Sequence, residues 1–263
     1  MKPSGAEDTG SAGPGPPPPA AVALFGDRID AAERYVGLLA TDGILRGLIG
    51  PREAPRLWDR HVLNSALLAD AVPEGASVAD VGSGAGLPGL VVAIARPDLR
   101  VTLVEPLLRR TTFLLEAVEA LGLGNVVVRR DRADALHGSA RFDAVTARAV
   151  APLERLLGWC MPLVAPEGAL LAMKGSSADD EVAAAGPTLR RLGCGEPVVE
   201  VFGGDLAREY PDVEPIRVVR VTWADPARVS WPTSGSRSGT APRSARRTAA
   251  RGRRQPPGTR TQR

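Results

Sequence analysis

Between residues 25 and 75 the apolar positions recur at helical spacing. They do so over 29–39 and again over 57–71, where Leu57, His61, Asn64 or Ser65, and Leu68 fall on one face. Residues 23–74 therefore read as a helical cap. From Ser77 the period shortens. β-branched runs at 77–81, 101–104, 125–128, 142–146, 169–173 and 216–222, with a seventh at 197–202, read as strands. Helical patterns separate the first five: 87–95, 107–121, a short one after Asp131, and 153–164. Another helix follows Ser177, and 203–215 is rich in turn residues. This βαβ alternation predicts an α/β domain over 75–225, a seven-stranded mostly parallel sheet with helices on both faces. The last two strands are expected to pair antiparallel at the sheet's end.

Composition narrows the class. The chain has 263 residues, 44% of them hydrophobic, and no apolar run of the roughly eighteen residues a bilayer span needs. Residues 1–22 are rich in Gly, Pro and Ala, and 226–263 contain ten arginines with no Asp, Glu or Lys; both are expected to be disordered. Without that tail the remainder carries a balance of −7, so a uniformly basic nucleic-acid binder is excluded. Any polyanion must meet a local patch or the tail. The first residues lack a signal-peptide pattern, which points to the cytoplasm, and a monomer is expected. Two cysteines, Cys160 and Cys194, and two histidines are too few for a disulfide scaffold or a Cys/His zinc site, so no metal is expected.

Chemistry concentrates at the first strand-to-helix turn, Asp80-Val81-Gly82-Ser83-Gly84-Ala85-Gly86-Leu87-Pro88-Gly89. Glycines there let backbone approach a ligand closely, and a following helix start offers unpaired N–H groups. Gly84, Gly86 and Gly89 also fit a dinucleotide pattern, so NAD stays open. Asp80, two residues before Gly82, suits a cationic methionine amino group better than a pyrophosphate, and Pro88 removes one N–H donor. Both favour S-adenosylmethionine. Glu105, ending the second strand, suits ribose hydroxyls of either cofactor. Asp134 follows the third strand, where it can meet an adenine edge or simply complement a helix N-terminus.

Arg60-His61, the loop through Leu87-Pro88-Gly89, Arg132-Ala133-Asp134, Thr146-Ala147-Arg148-Ala149 and Met173-Lys174-Gly175, in that order, resemble the RsmG (glucose-inhibited division protein B) family over roughly residues 25 to 222. The resemblance implies a Rossmann-like class I methyltransferase fold that uses S-adenosylmethionine to methylate guanine N7 in the 530 loop of 16S rRNA, free or in the small ribosomal subunit. It also implies cofactor contacts at Gly82, Leu87, Ala133, Asp134 and Arg148, beside Asp80, Gly84, Gly86 and Glu105. The family's Arg-His-x-x-Asp-Ser has Asn64 in place of Asp, and its usual Ser before the strand-four Arg is Ala147.

What is missing narrows the acceptor atom. Exocyclic amine methylation usually uses an Asn/Asp-Pro-Pro-aromatic turn after strand four, and 146–152 has none. Ring-carbon transfer needs an activated cysteine, and Cys160 sits within a helical pattern. Guanine N7 carries an in-plane lone pair and no proton, so its attack needs no general base, and positioning carries the catalysis. The residues expected to position are Arg148 and Lys174. Since a bidentate arginine on O6 and N7 would block the reacting lone pair, either should address O6 or a phosphate. Arg60, His61, Lys174, Arg109 and Arg110 are the candidate RNA contacts. A small-molecule S-adenosylmethionine-dependent methyltransferase is the alternative.

Overall fold

A computed structural model of the chain describes residues 13–229. After Gly13–Pro18 come α1 (Pro19–Phe25) and α2 (Ile29–Leu38), and α2 runs on into a π-helical turn at Leu39–Gly43. α2 buries Ala31, Ala32, Tyr35 and Val36, a stripe at helical spacing. The cap ends in one continuous run of helical turns: 3₁₀ at Pro51–Arg56, π at Leu57–Leu63, α3 (Asn64–Leu67) and 3₁₀ at Leu68–Ala71.

β1 (Ser77–Val81) opens the sheet and is followed by α4 (Gly89–Ala95), β2 (Arg100–Val104), α5 (Leu108–Leu121) and β3 (Val126–Arg129). A 3₁₀ turn at Ala133–Leu136 leads to β4 (Phe142–Arg148), α6 (Leu153–Cys160), β5 (Val164–Lys174) and α7 (Ala178–Leu192). β6 (Val198–Phe202), α8 (Gly204–Glu209) and β7 (Ile216–Val221) complete the domain. Local chemistry sets several of these limits. α5 and α7 stop where Gly122 and Gly193 turn left-handed, and α7 carries Asp179, Asp180 and Glu181 at its start and Arg190 and Arg191 at its end, matching its dipole.

The seven strands lie in the order β3-β2-β1-β4-β5-β7-β6. β3 through β5 are parallel, and β7 pairs antiparallel with both β5 and β6. The expected sheet and its antiparallel end are thus observed. The order reverses between β1 and β4, which opens a crevice at their carboxyl ends. One face of the sheet is covered by the cap helices, α4 and α5, the other by α6 and α7.

Some expectations need correction. The disordered N-terminal segment was expected to reach residue 22, but α1 already begins at Pro19, where Ala20 and Ala21 are buried, and Gly15 O accepts from Trp58 Nε1 at 3.3 Å. Tyr35, Leu57 and Trp58 of the cap share one core with Leu90, Ile94 and Leu103 of the sheet domain. The turn-rich 203–215 segment includes α8, whose sequence is dominated by polar residues and offers no apolar stripe. Of the expected tail, Pro226–Arg228 forms a 3₁₀ turn capped by Asp225, and the rest lies outside the described residues.

Candidate cofactor and substrate site

The glycine loop turns back on itself. Gly82 and Ser83 donate their N–H groups to Val104 O, Gly86 and Leu87 to Ser83 O, and Leu90 to Gly86 O. Gly84 N–H meets Glu105 Oε2 at 3.0 Å, and Gly89 N–H meets Asp80 Oδ2 at 3.1 Å. The N–H groups expected to face a ligand are therefore mostly satisfied inside the protein. A pyrophosphate would find few donors there and a buried carboxylate behind them.

Asp80 is 1% exposed, and its other oxygen accepts from Thr146 Oγ1 at 3.0 Å. Burial raises its pKa to about 6, against the pull of Thr146, Gly89 and Arg148. Its expected direct contact with a ligand's amino group is corrected: the carboxyl anchors the loop from behind. Glu105, also 1% exposed, accepts from Gly84 N, from Leu107 N at 3.0 Å and from Arg110 at 3.4 Å. In this arrangement it braces the loop rather than presenting free oxygens to a ribose. Leu87 is packed into the core under the cap, which removes its side chain from either cavity.

Two cavities flank the end of β4. The smaller, about 200 Å³, is a largely apolar slot formed by Val81, Gly82, Val104, Pro106, Val150 and Trp159, with Asp131, Arg132, Ala133 and Asp134 at its edge. It brings together Gly82, Ala133 and Asp134. Asp134 is paired with Arg132 at 3.0 Å, and that hydrogen bond holds its carboxyl below the ordinary range. The larger cavity, about 840 Å³, takes in Arg60, His61, Asn64, Arg148, Lys174 and Glu181 among its walls. Val150 belongs to both cavities and stands between them. Its side chain rests on Gly82 so closely that a Cβ there would come within 2.8 Å of Cγ2. The preceding Ala149 has φ +52°, a strained value for a residue with a Cβ.

Arg148 reaches the larger cavity from the end of β4 and is held by the cap: Nη2 contacts His61 Nδ1 at 2.7 Å, and Nη1 donates to Ser65 Oγ at 3.3 Å and His61 O at 3.4 Å. His61 Nε2 lies 2.8 Å from Glu53 Oε2. Burial lowers the His61 pKa, with Glu53 pulling the other way and Arg148 adding to the lowering. Lys174 requires correction as a phosphate contact. Its side chain is 9% exposed, and Nζ donates to Glu181 Oε2 at 2.7 Å and to Ala151 O at 2.9 Å, tying β5 to α7. Arg60 is half exposed on the rim, 4.0 Å from Glu53. Arg109 and Arg110 sit on α5 and line neither cavity, and Arg110 is engaged with Glu105. Of the family departures, Ala147 is fully buried against the α6 side, away from the site, while Asn64 Oδ1 is buried without a hydrogen-bond partner beside the larger cavity. Cys160 is buried in the core, its thiol pushed up to about 12 by burial.

Sequence reasoning missed Tyr35 and Val150. Tyr35 is fully buried, and its hydroxyl donates to Ala85 O at 2.8 Å, pinning the glycine loop to the cap. One of only two tyrosines, lying within an apolar stripe, was the available signal. Val150 gave none, because its place depends on the turn at Ala149.

Residues 28–202 match the family described as rRNA small subunit methyltransferase G. A protein of that name from Nocardioides sp. is 66% identical over 211 residues, covering 80% of this chain and 82% of that protein. Another, from Salinispora arenicola, is 56% identical over 223 residues, covering 79% and 92%. Among solved structures, the mitomycin 7-O-methyltransferase MmcR superposes with a TM-score of 0.52 at 16% identity, over 79% of this chain and 69% of that one, a likeness of fold.

Proposed function

Because the chain belongs to the rRNA small subunit methyltransferase G family, we propose that it methylates N7 of a guanine in the 530 loop of 16S rRNA, with S-adenosylmethionine as donor. The observation that carries the reading is the inward-turned glycine loop over buried Asp80. Most of its N–H groups are satisfied internally, and a carboxyl of pKa about 6 lies beneath it, an environment that disfavours a pyrophosphate and suits a cation.

S-adenosylmethionine, when bound, supplies a methyl group on a positively charged sulfur. The apolar slot between Val104, Pro106 and Trp159 suits an adenine ring, with Asp134 and the backbone at Ala133 on its polar edge. Gly82, with no Cβ, lets the Val150 side chain pack onto the loop between the slot and the neighbouring cavity that would take the base, and Arg148, on the wall of that cavity, would hold the cofactor from that side. Among the described residues lining that cavity, none is poised to take a proton. His61 is bonded through both ring nitrogens, Glu181 holds Lys174, and Glu214 lies on the exposed rim. That arrangement is compatible with a nucleophile that brings its own lone pair, so the protein's task is alignment.

The test is methyl transfer from labelled donor to 16S rRNA, both deproteinised and assembled in 30S particles, followed by nuclease digestion and mass spectrometry. N7-methylguanine in the 530 loop is expected. Label on another atom, or none on either substrate, would overturn the proposal.

A further inference from the structure

Glu53 lines neither cavity, yet it ends a hydrogen-bonded chain that leads into the larger one. A guanidinium has only donors, so the 2.7 Å contact between Arg148 Nη2 and His61 Nδ1 requires a lone pair on Nδ1. The proton of neutral His61 is then on Nε2, where Glu53 Oε2 accepts it at 2.8 Å. The chain thus has one consistent polarity: Arg148 donates to His61, and His61 donates to Glu53. Ser65, whose hydroxyl donates to His61 O at 2.6 Å, supplies Arg148 with a second acceptor.

We infer that Glu53 is a positioning residue for methyl transfer, holding the Arg148 guanidinium at the wall of the base cavity through the orientation and tautomer of His61. The inference rests on the role proposed above for Arg148. Protonation of His61 would set an N–H against the Arg148 N–H and break the chain, so acid should loosen Arg148. The charged groups facing His61 are Glu53 and Arg60 from the cap and Arg148 from β4, while Tyr35 from α2 and Asp80 from β1 act on Arg148. Glu53 favours the imidazolium. Replacing it with Gln removes that charge while keeping an acceptor, so the acid limb should move to lower pH. Asp80 titrates in both proteins and cancels from the difference.

The experiment is calorimetry with S-adenosylhomocysteine across pH for wild type, Glu53→Ala, Glu53→Gln and Arg148→Ala, alongside ¹⁵N spectra of the His61 ring and denaturation midpoints. Expected are a protonated Nε2 in wild type and affinity about five- to tenfold weaker in Glu53→Ala. Glu53→Gln should stay within about twofold of wild type at pH 8, with its acid limb at lower pH. A proton on Nδ1, or Glu53→Ala binding like wild type, would overturn the inference. If Glu53→Ala does not fold, the acid limb of Glu53→Gln decides: an unmoved limb overturns it. Unchanged affinity in Arg148→Ala with the tautomer as described would place the failure in the cofactor-side role of Arg148, and would remove the functional half of the inference with it.

Discussion

Asp80 shows how far a single residue can be read, and where reading stops. Its place two residues before Gly82 marked it as part of the ligand loop, but position cannot say which way a carboxyl faces. It faces inward, onto Gly89 N–H and the Thr146 hydroxyl. The pKa, raised by burial from 3.8 to about 6, has a consequence for stability. The folded value lies above the unfolded one, so this carboxyl's contribution is complete below its unfolded pKa and is lost as pH rises through about 6. The loss amounts to about 3 kcal/mol by pH 7.5. Asp80→Asn, which can accept from Gly89 and donate to Thr146, should therefore gain on wild type by about 2 kcal/mol between pH 4.5 and 7.5 in denaturant titrations of the ligand-free protein. Parallel pH curves for the two proteins would refute this. Lys174 carries the same lesson: a lone lysine at a strand end looks free in sequence, but its partner Glu181 comes from a helix that follows it and folds back.

At the scale of elements, period and punctuation carried most of the information. Strands fully buried on both faces, such as β1 with Val78 and Ala79, stand out as β-branched runs between turns, and the antiparallel pairing of the last two strands was legible from the turn-rich 203–215 segment that joins them. What escaped was structure whose cause lies elsewhere in the chain. α8 forms where Leu206 and Ala207 pack from outside against the cap core, and the 149–152 turn is tied down by Lys174, which donates to Ala151 O, and by Glu181, which accepts from Leu153 N–H. The glycine loop was legible as a loop, yet its hydrogen bonding was not, because Glu105 and Val104 approach from the next strand. The start of α4 is the tightest point. A Cβ on Gly89 would collide with Leu103 Cδ2 and approach Asp80 Oδ2 to 2.7 Å, with both neighbours buried. Gly89→Ala should cost about 1–3 kcal/mol in chemical denaturation, the usual cost of overpacking, and weaken S-adenosylhomocysteine binding as the loop shifts. An unchanged midpoint and affinity would show that the loop is not seated as described.

Across the whole molecule, the cap and the sheet act as one body with one shared core, which allows Tyr35 to hold the glycine loop and His61 to hold Arg148 from across the crevice. The cofactor slot and the base cavity then meet at Val150, and among the described residues no proton acceptor stands between them. Among the groups with shifted values near the site, Asp80 at about 6 and His61 below its usual 6.5 complete their titrations by the neutral range. A reaction that depends only on alignment should therefore lose its pH dependence above that range. The decisive measurement is the single-turnover rate of methyl transfer to 16S rRNA between pH 7 and 8.5, with saturating donor. The account predicts a rate constant to N7-methylguanine that is flat to within about twofold, whereas a required general base still titrating there would make it climb by up to about tenfold per pH unit. Such a climb would contradict it.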